Sequence, residues 1–141
     1  MAGRQLTGGF TGRLQTRFQA FMADWVLRGD SSVEALADTY LAPDFTALID
    51  GKMLSRTVFQ NRIARMRNDA IVEEQEFVEM MEEGDRLFSM HITRGVSRET
   101  GQPFQTRAIA FFVFEGERIK TGYLNSVTLG DPRDADFASR S

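Results

Sequence analysis

The N-terminal half of the chain carries hydrophobic patterns with helical spacing. In RLQTRFQAFMADWVLRGD the apolar residues recur every three or four positions, which places them on one face of a helix. A second stripe follows in GDSSVEALADTYLAPD, where Ser31 and Glu34 have capping-box spacing and Pro43 ends the helix. In SRTVFQNRIARMRND a third stripe predicts burial of one set of side chains, Val58, Phe59, Ile63 and Met66, and exposure of another, Arg56, Arg62, Arg65 and Arg67.

The C-terminal half reads as extended segments separated by turn signals. IVEEQEFVEMM, RLFSMHITRGV, PFQTRAIAFFVF and RIKTGYLNSVTL are joined at Gly84, SRETGQ and Gly116, and Phe45 to Ile49 forms a further short strand before Asp50-Gly51. Strands linked by hairpins make an antiparallel sheet. The chain is therefore predicted to be α+β, with three N-terminal helices packed on a cone-shaped, curved antiparallel sheet that leaves room for a ligand.

Length and composition narrow the possible functions. The 141 residues fit one domain, predicted at 13–129, with loosely held segments at 1–12 and 130–141. A net charge of -3 argues against a nucleic-acid partner, and the absence of cysteine excludes thiolate chemistry and thiolate metal sites. Without an apolar run suited to a signal peptide or a membrane span, we expect a cytoplasmic protein with no membrane partner. No cofactor or metal is indicated.

The order of elements, with RGDSSVEALADTYLAPDFTALIDGKMLSRTVF and FEGERI before the last strand, resembles the nuclear transport factor 2-like superfamily. Within it, residues 13–129 look most like SnoaL-like polyketide cyclase and ketosteroid isomerase-type domains. The resemblance implies an α+β barrel-like cone with a largely apolar pocket for an apolar or aromatic small molecule. It also implies a homodimer formed through the outer face of the sheet.

The same resemblance argues against steroid isomerisation. Those isomerases need an acidic base, a tyrosine and a protonated carboxylic acid. Ile49, Met22 and Ala110 occupy the matching positions here, and none of them can carry out that chemistry. Asp50 lies one residue from the base position, so a bulge could bring it there.

The chain has one histidine, His91, in the strand from Arg86 to Gly95. Period two puts Ser89, His91 and Thr93 on one face, and the isomerase-like pattern turns that face into the cone. A pocket imidazole could transfer a proton at neutral pH. The alternative is a structural histidine held by hydrogen bonds.

On the last strand, alternation puts Tyr123 and Asn125 on one face, and the SnoaL-like pattern directs an aromatic residue at Tyr123 into the pocket. The catalytic hypothesis is therefore His91 as acid/base, with Tyr123 and Asn125 holding the reacting oxygen. The predicted substrate-binding residues are Phe18, Met22, Trp25, Tyr40, Phe45, Ser89, Ala110 and Phe112. A non-catalytic module for ligand binding or assembly is the alternative.

Overall fold

The computed structural model describes residues 3–6, 9–28 and 30–129, without the side chains of Leu6 and Arg28. Within this part of the chain there are three α-helices, α1 Arg13–Met22, α2 Val33–Tyr40 and α3 Arg56–Asp69, and a π-helical turn at Ala23–Arg28 continues α1. The strands are β1 Arg4–Leu6, β2 Leu41–Ile49, β3 Lys52–Ser55, β4 Ala70–Glu83, β5 Arg86–Ser97, β6 Pro103–Glu115 and β7 Arg118–Leu129. The predicted C-terminal segment, 130–141, lies outside the described residues.

These strands form one curved sheet in the order β1-β4-β5-β6-β7-β2-β3. Strands β4, β5, β6 and β7 pair successively with one another in antiparallel fashion, as the hairpin signals predicted. Strand β2 instead joins β7 in parallel, and β1 joins β4 in parallel. Because β1 and β3 remain at the two edges, the sheet does not close into a barrel. The predicted α+β cone is confirmed, whereas β1, β3 and the first half of β2 were missed.

The core lies between the helices and the concave face of the sheet. The helical stripes that the sequence predicted supply most of it, and bulky side chains on the strands face them. The largest fully buried apolar side chains are Leu14, Phe18, Leu36, Leu41, Ile63 and Leu87. Burial of this surface is the main force that holds the helices on the sheet.

A carboxylate from the sheet holds the start of α1. Oε1 of Glu82 on β4 accepts hydrogen bonds from the backbone N–H groups of Leu14 and Gln15, both at 3.1 Å. The N-cap residue Gly12 makes this possible, since a Cβ atom there would lie 2.0 Å from Oε1 of Glu82. Glycine is thus needed at this cap for close approach by a residue distant in sequence.

The other helix starts follow local rules. Helix α2 is capped by Ser32, whose side chain accepts from the N–H of Ala35 at 3.1 Å, so the predicted cap at Ser31 is wrong by one residue. Helix α3 is capped by Ser55. The predicted burial of Val58 is also wrong, because 48% of this residue is exposed. It lies on a face of α3 that borders the cavity instead of the core.

Arg67 was expected to face solvent but joins α3 to the end of the first helix. Its guanidinium donates to the carbonyl oxygens of Trp25, Asp24 and Ser31, at 3.1, 3.1 and 2.6 Å. Carbonyl groups at a helix end lack partners within the helix, and an arginine can satisfy several of them at once. This contact fixes the position of the π-helical turn against α3.

Candidate functional site

A cavity of about 1000 Å³ lies between the helices and the concave face of the sheet. Small residues at the centre of that face create the space, because Ala47, Ala108 and Gly122 stand where larger side chains would fill the cone. Phe18 and Phe112 lie beside them and keep the floor apolar. This volume is in the range of small-molecule sites.

His91 lies at the floor of the cavity. It is 3% exposed, and Nδ1 is 2.9 Å from Oγ of the buried Ser89. The rings of Phe18 and Phe77 are 5.4 and 5.9 Å from the imidazole, centroid to centroid. On the neighbouring strand His91 faces Ala108, whose short side chain leaves open space beside the ring.

Burial controls the charge of His91. Loss of hydration in this apolar environment lowers its pKa from 6.5 to about 4. The imidazole is therefore neutral at pH 7. One ring nitrogen then carries a hydrogen and the other a lone pair, so it can accept a proton from a ligand or donate a hydrogen bond to one.

Five of the eight residues predicted to contact substrate border the cavity: Phe18, Met22, Trp25, Phe45 and Phe112. The other three, Tyr40, Ser89 and Ala110, are buried but do not line it. Tyr40 donates from its hydroxyl to Oδ2 of Asp24 at 2.6 Å, which holds it within the helical layer. Ser89 contributes through its hydrogen bond to His91 and not by facing the cavity.

A bulge in β7 changes the direction of the side chains that follow it. Val113 pairs with Thr121, whereas Phe114 pairs with Ile119, so Lys120 is an extra residue in the strand. An inserted residue shifts the alternation by one and moves every later side chain to the opposite face. The uninterrupted alternation read from the sequence therefore fails beyond Lys120.

The predicted inward direction of Tyr123 and Asn125 is wrong for this reason. Tyr123 is 46% exposed, Asn125 is exposed, and neither lines the cavity. The cavity is bordered instead by Gly122, Leu124 and Ser126. Tyr123 and Asn125 lie on the outer face of the sheet, so His91 is the one member of the predicted catalytic trio that the structure places at the cavity.

Sequence reasoning missed a set of polar and charged residues around the opening. Along α3, Val58, Arg62, Arg65 and Asp69 line the cavity at helical spacing, parallel to the buried stripe. The predicted exposure of Arg62 and Arg65 is confirmed, but the sequence did not predict that they border a cavity. Arg62 follows Val58 by four residues and Arg65 follows Arg62 by three, and this spacing was the available signal. The sequence does not show that an open cavity lies beside this face.

The carboxylate that could have replaced the isomerase base is used elsewhere. Asp50 begins the turn after β2, and its side chain accepts from the N–H and the hydroxyl of Ser126 at 2.7 and 2.8 Å. It does not border the cavity, whereas Ile49 does. Asp50 and Gly51, with φ of 50° and 84°, form the predicted tight turn.

The described residues contain no group of three or more His, Asp or Glu side chains arranged to bind a metal ion. None of their helices is long and apolar enough to cross a bilayer.

No protein-family model matches the sequence, and no curated protein matches it either. Solved structures do match. A candidate isomerase from Rhodopseudomonas palustris superposes with a TM-score of 0.70 at 16% identity, covering 94% of this chain and 100% of that one. A candidate polyketide cyclase from Acidithiobacillus ferrooxidans gives a TM-score of 0.68 at 19% identity, with 94% and 97% covered.

A third similar structure is a protein with a ketosteroid isomerase-like fold from Catenulispora acidiphila, solved with trimethylamine. Its TM-score is 0.63 at 19% identity, with 81% of this chain and 85% of that chain covered. These superpositions establish the fold, whereas identities this low leave the activity open. The chain thus has an α+β cone fold, which it shares with ketosteroid isomerase-like proteins and SnoaL-like polyketide cyclases.

Proposed function

We propose that the chain is a small-molecule enzyme of SnoaL-like type that uses His91 as a base in an isomerisation, cyclisation or dehydration. The observation that carries this proposal is a neutral imidazole on the wall of a large apolar cavity. An apolar or aromatic substrate fits the wall formed by Phe18, Trp25 and Phe112. The cyclases and isomerases among the similar structures support the same class of reaction.

The hydrogen bond to Ser89 determines which nitrogen can react. If Nδ1 carries the hydrogen and donates to Oγ of Ser89, the lone pair on Nε2 is available to a molecule in the cavity. Proton transfer from substrate carbon to Nε2 would create an imidazolium and an enolate together. Each ion stabilises the other in an apolar site, which offsets the cost of charging a buried histidine.

Trp25, which borders the cavity, carries a buried hydrogen-bond donor. Nε1 of Trp25 is buried and has no hydrogen-bond partner among the described residues. A buried donor without an acceptor is costly, so an acceptor oxygen of a ligand would be favoured if it reached this group. This supports a substrate that combines rings with oxygen atoms.

A model reaction tests the proposal without knowledge of the natural substrate. The ring opening of 5-nitrobenzisoxazole needs only a base, which removes the carbon-bound proton while the N–O bond breaks to give a cyanophenolate. We expect turnover that is lost in His91→Asn, a variant that retains a polar partner for Ser89. Because His91 in the ligand-free protein has a pKa of about 4, kcat/KM should stay level from neutral pH down to about pH 4 and then fall.

Tyr123→Phe is the matched control for this reaction. It removes a hydroxyl that lies on the outer face, so turnover should be unchanged. Retained turnover in a folded His91→Asn protein would contradict the proposed base. A probe that binds in competition with other ligands but is never converted would instead favour a binding module. The presence of Ile49, Met22 and Ala110 at the positions of the isomerase catalytic residues also favours that alternative.

We further propose a homodimer formed through the outer face of the sheet. Ile109, Tyr123 and Val127 are large, exposed residues on adjacent strands of that face. Phe111 packs against Tyr123 with ring centroids 6.2 Å apart. Contiguous exposed apolar surface of this kind is typical of an interface between protein chains.

A further inference from the structure

The cavity has two chemically different ends. Its floor is aromatic around His91, while its opening carries three cationic side chains that both line the cavity and reach solvent: Lys52, Arg62 and Arg65. We call these three residues the basic rim. The sequence assigned no role to Lys52 and left both arginines to solvent.

The cavity opening around the basic rim carries more positive than negative charge. Asp69 is the acidic side chain that lines the cavity, and Asp50 lies 3.9 Å from Arg62. Lys52 and Arg65 form no ion pair among the described residues. Three cations therefore lie near two carboxylates, and one of these, Asp50, is already hydrogen-bonded to Ser126. The chain as a whole has a net charge of -3. A cationic opening on an acidic protein favours entry and retention of an anion.

Hydroxyl groups face the rim from the sheet. Thr106 and Thr128 line the opening with their Oγ1 atoms 3.0 Å apart, and Ser126 lies on the same strand as Thr128. One of the two threonine hydroxyls donates to the other, so a single hydroxyl hydrogen is left for a ligand oxygen, whereas the hydroxyl of Ser126 already donates to Asp50. The outer half of the cavity thus suits a polar, negatively charged group, whereas the inner half suits rings.

We propose that the ligand is an apolar, ring-bearing acid whose rings fill the floor beside His91 and whose anionic group is held by the basic rim. This inference rests on the proposed function, because it names the substrate class of the same cavity. Thr106 is two residues from Ala108, the partner of His91, which corresponds to about 7 Å along β6. A ligand that contacts both Ala108 and Thr106 therefore extends over about 7 Å of the sheet.

A matched pair of fluorescent probes tests the inference. 1-Anilinonaphthalene-8-sulfonate and N-phenyl-1-naphthylamine share one ring system and differ by the sulfonate. We expect both to bind and to displace each other, with the sulfonate probe bound at least about fivefold more tightly, as one or two partly exposed ion pairs allow. Added sodium chloride should weaken the sulfonate probe and leave the neutral probe unchanged.

Substitutions in the basic rim test whether it causes the preference for the sulfonate probe. The double variant Arg62→Gln, Arg65→Gln should lose most of the preference for the sulfonate while binding the neutral probe as before, and Lys52→Gln is a second, milder variant. Arg118→Gln removes the same charge from the β6–β7 hairpin, does not alter the cavity lining, and should keep the preference. Thermal melts establish that each protein is folded.

The outcomes separate this inference from the proposed function. Equal affinity for the two probes, or a preference that survives the double variant, would overturn the role of the basic rim and leave the cavity intact. A sulfonate probe that the neutral probe cannot displace would overturn it as well, since it would be bound elsewhere. If neither probe binds, both the inference and the proposed small-molecule function fail.

Discussion

At the scale of single residues, His91 connects burial to both stability and chemistry. Its pKa of about 4 in the folded chain lies below the value near 6.5 expected after unfolding. Between these values the unfolded state binds more protons than the folded state. The site's contribution to the free energy of unfolding is therefore complete above pH 6.5 and is lost as the pH falls to about 4.

We expect this loss to amount to about 3 kcal/mol, from the difference of the two pKa values. The measurement is urea unfolding of the wild type and of His91→Asn at several pH values. Carboxylates contribute equally to both proteins, so the difference between the two curves isolates the histidine. Curves that run parallel from pH 7 to pH 4 would contradict the buried, neutral state of His91.

At the scale of elements, the contact between Glu82 and the first turn of α1 fixes a helix to the sheet. Removal of the acceptor in Glu82→Ala should lower the free energy of unfolding by about 1 kcal/mol, the usual value of a helix cap. Glu82→Gln keeps an acceptor oxygen and should cost less. Glu83→Ala is the control, because its exposed neighbouring carboxylate makes no bond to the helix.

The measurement for this cap is chemical unfolding of the three variants under identical conditions. Gly12→Ala offers a reciprocal test, since its Cβ atom would meet Oε1 of Glu82 and force the carboxylate away. We expect Gly12→Ala to destabilise the wild type and to have a smaller effect once Glu82 is alanine. Additive effects of the two changes would show that they act separately.

At the scale of the whole molecule, the proposed homodimer depends on the outer face of the sheet. Ile109 is 52% exposed at the centre of the apolar strands β6 and β7. We expect Ile109→Lys to convert a dimer into a monomer, because a buried lysine without a partner is strongly unfavourable. Sedimentation velocity at micromolar concentration measures the mass, with Val58→Lys at the cavity opening as a control that leaves the dimer intact. A monomeric wild type would remove the dimer proposal.

The sequence by itself determined the helices and the hairpins, whereas the inward direction of His91 followed from the family resemblance, because alternation alone leaves the facing of that strand open. Helical spacing identified the stripe around Phe18, and glycines at Gly84 and Gly116 identified turns with positive φ. These features depend on neighbours within a few positions, so they can be read locally. The same reasoning placed five of the eight predicted binding residues at the cavity wall.

Only the tertiary structure decided which polar and charged residues accompany His91 at the cavity. One extra residue, Lys120, turned Tyr123 and Asn125 outwards, and no local pattern announces a bulge whose position depends on pairing with β6. The basic rim likewise depends on the packing of α3 against β2 and β3, which brings Arg62 and Arg65 to the same cavity as Lys52. The environment of a side chain depends on which elements pack around it. Arg62 and Arg65 border a cavity that forms only when α3 packs on the sheet, so a local stretch of sequence cannot reveal it.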